Sequence, residues 1–138
     1  MTNWLAGMRI TADRLNDNTS TSTTSGLTAA TGFSVNSFLG RKVSGVTVLD
    51  IYMQRTGADI TATGGNITDT QICTVPAGWR PPDQTINGTW DNGAAEGGWV
   101  VGTDGVCTLR TSNGTITGTA GSGVSNLRLH IEFISDNN

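Results

Sequence analysis

One histidine, two cysteines, eleven carboxylates and four tryptophans are the side chains with chemistry to offer, and their spacing decides what they can do. His130 sits in NLRLHIEFIS, where Leu127, Leu129, Ile131 and Phe133 alternate with Arg128, His130 and Glu132, so it belongs to the polar face of a strand. Nucleophilic catalysis needs a histidine within reach of a serine or cysteine and an orienting acid, and nothing in the sequence pairs His130 with such a group. Cys73 and Cys107 share faces with Val75 and Leu109, which reads as two buried thiols. A disulfide between neighbouring strands stays open, although assembly in a reducing cytosol argues against it. Two cysteines and one histidine without close spacing make no zinc site. Asp59, Asp69, Asp91 and Asp104 do not cluster at calcium-loop spacing. Glycan hydrolysis needs two carboxylates facing each other across a cleft; Asp83, Asp91, Glu96 and Asp104 lie near turns, but no pair stands out. The expectation is therefore no catalytic residue, no metal and no cofactor.

Binding chemistry is better placed. TWDNGAAEGGWV sets Trp90 and Trp99 around a glycine-rich loop with Asp91, Asn92 and Glu96. Indole rings stack on sugar faces while amides and acids bond hydroxyls, so these five residues are a candidate receptor or glycan contact. The alternative reading packs both tryptophans in the core or at a subunit interface.

The elements that would position these groups are strands. A chain of 138 residues is one domain's worth, with 36% hydrophobic and only 14% charged residues, and glycine, threonine and serine fill the gap. That mixture suits short strands with uncharged outer faces and tight turns. From about residue 33 the period is two: in GVTVLDIYMQR, Thr47, Leu49, Ile51 and Met53 oppose Val46, Val48, Asp50 and Tyr52. DITAT, TQICTV, QTINGTW, GWVVGT, VCTLRT, GTITGTA and LRLHIEFI are further strand candidates. Gly64-Gly65-Asn66, Asp91-Asn92-Gly93, Asp104-Gly105 and Asn113-Gly114 supply turns between them. The fold expected is all-β, an antiparallel jelly-roll-like β-sandwich over residues 33–138. Residues 1–32 are expected to be an N-terminal docking arm and a Thr/Ser-rich linker. In the arm Trp4, Leu5, Met8, Ala12 and Leu15 share one helical face, Ile10 falls off it, and Gly7 limits the helix to short pieces.

All three prolines fall within seven positions, in CTVPAGWRPPDQT. Pro76 can end a strand because it donates no ladder hydrogen bond, Gly78 permits a sharp bend, and Pro81 with Pro82 restricts the exit. Trp79 would bury a broad ring against the edge of the fold, with Arg80 covering it or pairing outward. This corner, Val75-Pro76-Ala77-Gly78-Trp79-Arg80-Pro81, followed by Asp104-Gly105-Val106-Cys107-Thr108-Leu109, resembles the C-terminal jelly-roll heads of bacteriophage tail-fibre and virion-surface proteins. The opening WLAGMRITADRLND is similar to the start of small structural proteins of actinobacterial phages.

The resemblance implies a virion component, a homotrimer without catalytic residues, attached to other virion proteins through its N-terminal arm. A tail fibre or minor tail protein for host attachment is the leading expectation, and a capsid decoration protein or head fibre the alternative. A monomeric carbohydrate-binding module is the rival of another class. Net charge of −3 and eight scattered basic residues argue against nucleic acid as a partner. No apolar run approaches membrane-spanning length and no signal peptide is evident, so the sequence predicts a soluble chain assembled in the host cytoplasm and residing in the virion.

Overall fold

The computed structural model describes residues 20–119 and 121–135. These form one curled antiparallel sheet of nine strands. In chain order they are β1 (Thr21–Thr23), β2 (Thr28–Ala29), β3 (Phe33–Val43), β4 (Val46–Arg55), β5 (Asn66–Thr74), β6 (Ile86–Asp91), β7 (Glu96–Val101), β8 (Val106–Thr111) and β9 (Asn126–Ile134). Their spatial order is β1-β3-β4-β9-β6-β7-β8-β5-β2. Strands β6, β7 and β8 form a meander, and β5 returns to lie beside β8, which is Greek-key connectivity.

The curl encloses one apolar core. Leu49, Ile51 and Met53 of β4 and Leu127, Leu129 and Ile131 of β9 stand on directly opposed register positions and are buried. Each such side chain contributes about 2 kcal/mol relative to exposure. The half-exposed Arg110–Asp69 ion pair, at 2.8 Å, adds about 1 kcal/mol at most, so burial on the inner face decides the fold. Trp90 of β6, Trp99 and Val101 of β7, Cys107 and Leu109 of β8, and Ile72, Cys73 and Val75 from β5 onward complete the core. Thr47, buried at the end of the β4 row, meets the Ser135 hydroxyl at 2.8 Å, so the polar pair satisfies itself.

Turn chemistry fixes the hairpins. Gly64 and Gly65 both have positive φ between Thr63 and Asn66, which exchange backbone hydrogen bonds of 2.9 and 3.1 Å. Two consecutive left-handed residues are what a type I′ turn requires. Between β7 and β8, Gly105 has φ +82° and the Asp104 carboxylate accepts the Val106 N–H at 3.0 Å. Asn113-Gly114 closes no hairpin. There β8 runs out into a connection whose Ile116 pairs with Ile60 through two backbone bonds, and the Asn113 side chain accepts the Glu96 N–H at 2.9 Å.

Several sequence expectations change accordingly. GTITGTA and DITAT contribute the Ile60–Ile116 bridge rather than strands. The sheet begins inside the Thr/Ser-rich stretch, since β1 and β2 are its two edges. β3 went unread as a strand because a bulge between Val35 and Ser37 breaks its alternation, placing Phe33 and Phe38 on the same inner face. The arm residues Trp4, Leu5, Met8, Ile10 and Leu15 lie outside the described residues.

Candidate functional site

The two tryptophans proposed for sugar stacking are core residues, 1% and 2% exposed. In the β6–β7 hairpin Trp90 lies opposite Gly97 and Trp99 opposite Gly88. A Cβ on Gly88 would come within 2.4 Å of the Trp99 ring, and one on Gly97 within 1.9 Å of the Thr111 carbonyl and 2.7 Å of the Trp90 indole nitrogen. The glycines of this segment are thus the floors on which the rings lie. Each indole N–H is spent on backbone, Trp90 donating to Thr111 O at 3.2 Å and Trp99 to Thr89 O at 2.8 Å. Neither ring offers an open face for a sugar. Asn92 is committed to the turn, its side-chain oxygen accepting the Ala94 and Ala95 N–H groups and its amide donating to Val124 O at 3.1 Å.

The proline corner links β5 to β6 and packs across onto β3. Gly78 takes φ +82° in a turn closed by the Trp79 N–H donating to Pro76 O at 3.1 Å. The half-buried Trp79 ring lies on Gly40, whose Cβ would come within 2.8 Å of it. Lys42 stands 4.9 Å from the ring centroid and donates to Gly78 O. Arg80 turns inward, its Nε donating to Val75 O at 2.8 Å. Pro81 is buried and Pro82 exposed.

The surface that gathers chemistry is a groove of about 580 Å³ on the outer face, reached by Ser37 of β3, Asp50 and Tyr52 of β4, Asp91 of β6, Glu96 of β7, and Arg128 and His130 of β9. Register builds it. Asp50 faces His130, Tyr52 faces Arg128, and Arg128 also faces Asp91 across the β6–β9 ladder. His130 Nδ1 lies 2.7 Å from Asp50 Oδ1, and its Nε2 4.0 Å from Glu132. The Arg128 guanidinium sits 4.2 Å from the Tyr52 ring centroid. The groove also carries two hydroxyl side chains beside this dyad, Ser37 on β3, the strand next to that of Asp50, and Thr89 on β6, the strand next to that of His130. What the lining can do is accept hydrogen bonds through three carboxylates and donate them through Arg128, which suits a polyhydroxylated or cationic ligand.

Of the five residues expected to contact a glycan, three line the groove: Asp91 and Glu96, and Trp90, which is buried in its floor. The groove adds Asp50, Tyr52, Arg128 and His130, which sequence reasoning left unassigned. Alternation put each of these four on an outer face; the β4–β9 register that joins them has no local signature. Among the described residues no group of three or more His, Cys, Asp or Glu side chains is arranged to hold a metal ion, and no helix is long and apolar enough to cross a membrane. No family model, curated protein or solved structure matches this chain.

Proposed function

We propose that this chain is a non-enzymatic structural protein of a bacteriophage virion, a homotrimeric surface module fastened through its N-terminal segment and used in host attachment as a tail fibre or minor tail protein. In this reading the curled sheet is the jelly-roll-like sandwich of the virion-surface heads that the corner motif resembles. The observation that carries it is an apolar row on the outer face. Val43, Val46 and Ile134 occupy directly paired positions on β3, β4 and β9, with Val43 44% and Ile134 77% exposed. Large aliphatics aligned this way on a soluble surface mark a place where protein is meant to sit.

The same end of the sheet holds both ends of the described chain. Thr21 pairs with Lys42, next to Val43, and Ser135 donates its N–H to Gly45 O at 2.7 Å. The described chain therefore begins and ends beside the apolar row. The acidic groove supports a host-surface glycan as the partner bound by the free face. A capsid decoration protein or head fibre would use the same surfaces.

Sedimentation equilibrium tests the assembly. The expected mass is about 43 kDa, three copies of a 14.4 kDa chain. A monomer that binds glycan would replace this reading with a carbohydrate-binding module. Immunogold labelling of particles separates tail from capsid.

A further inference from the structure

Cys73 of β5 and Cys107 of β8 are directly paired in the antiparallel ladder, and both are fully buried. Opposed residues in such a ladder have Cα atoms roughly 4.5 to 5.5 Å apart, inside the roughly 4.4 to 6.8 Å that a disulfide spans. The two thiols are in hydrogen-bond contact with each other. They are the only two cysteines in the chain, so one intrachain pairing exists. We propose that Cys73 and Cys107 are a disulfide site of this fold, formed by exchange with a small-molecule disulfide, which clamps β5 to β8 without a change of register.

The chemistry balances with that one co-reactant. One cysteine thiolate attacks a sulfur of the small disulfide, breaking its S–S bond and releasing the first small thiolate. The second cysteine thiolate attacks the protein sulfur of the mixed disulfide, forming the cross-strand bond and releasing the second. The two protein thiols lose two electrons, the small disulfide gains them, and the two thiol protons end on the released thiols.

Burial dictates when this can happen. Both cysteines are fully buried, out of reach of a small disulfide in the folded chain, and the hydrogen bond to Cys73, then desolvation, push the Cys107 thiol far above its ordinary value of 9.0. Exchange is therefore confined to the unfolded or locally opened chain, and the redox state chosen during folding persists afterwards. This inference is independent of the virion reading.

The test is a refolding experiment on the full chain. Unfolded reduced protein is diluted into oxidised glutathione, and folded reduced protein is incubated in the same buffer. The refolded sample is expected to lose about 2 Da as an intrachain bond, to resist alkylation, and to melt about 10 °C higher than reduced protein. The folded sample is expected to keep both thiols. Refolded protein that retains two free thiols, carries glutathione, or links into covalent dimers would overturn the proposal. Cys73→Ala carried through the same protocol is expected to show neither the mass loss nor the added stability; if it melts as high as oxidised protein, the clamp is not the cause.

Discussion

Single positions in this fold are governed by what lies within a few ångströms of the backbone. Gly97 is the sharpest case, because a methyl group there would strike the Thr111 carbonyl at 1.9 Å, on a strand that cannot move without opening the sheet. Gly97→Ala is expected to cost about 3 kcal/mol, read from the urea midpoint. Gly64→Ala meets nothing within 4 Å but must hold φ +59°, and its expected cost is about 1 kcal/mol. The thiol pair gives a second residue-scale prediction. In the unfolded chain Cys107 ionises from about pH 9, whereas in the folded chain it stays protonated well beyond that. Above this pH the unfolded state binds fewer protons than the folded state, so stability falls as pH rises. Between pH 9 and 11 the reduced protein should lose roughly 1 kcal/mol more per pH unit than Cys107→Ala, measured by denaturant titration at each pH.

At the scale of elements, legibility followed the regularity of the strand. β4 and β9 could be read directly from alternation, because their pairing carries no bulge and three successive aliphatics or more mark the inner face of each. β3 could not, since the extra residue at Asn36 moves its inward positions from odd to even numbers. β1 and β2 could not either. Their serines and threonines say nothing of burial, and they are held as edges by ladder bonds to β3 and β5. The tryptophan loop was misleading for a related reason, as a glycine opposite an indole looks like a flexible binding loop until the register shows the ring lying on it. Deleting Asn36 makes the bulge testable. With Asn36 removed, Val35 and Ser37 become consecutive opposite Met53 and Tyr52, so plain alternation still holds Phe33 and Phe38 on the same inner face. The expected outcome is a change in stability of about 1 kcal/mol or less with no added binding of a hydrophobic dye, and a loss of about 3 kcal/mol or more with dye binding would contradict this account of β3.

For the whole molecule, the question is what covers the aliphatic row. Val43→Ser with Ile134→Ser removes two exposed apolar side chains and touches no core residue, so the subunit itself should keep its melting behaviour within about 0.5 kcal/mol. If that row is the subunit interface, the double variant is expected to sediment at 14.4 kDa while the unaltered chain forms the larger species. A variant that still trimerises would move the interface elsewhere on the sheet.

Measured along β4, Val46 and Tyr52 are six residues apart, roughly 20 Å of extended chain. The carboxylate-lined hollow is thus displaced lengthwise from the end where the polypeptide enters and leaves. A body gripped at its entry end holds its acidic flank a strand's length from the grip. A bulky graft at the Asp91–Glu96 tip would cap that flank, since both residues line the hollow.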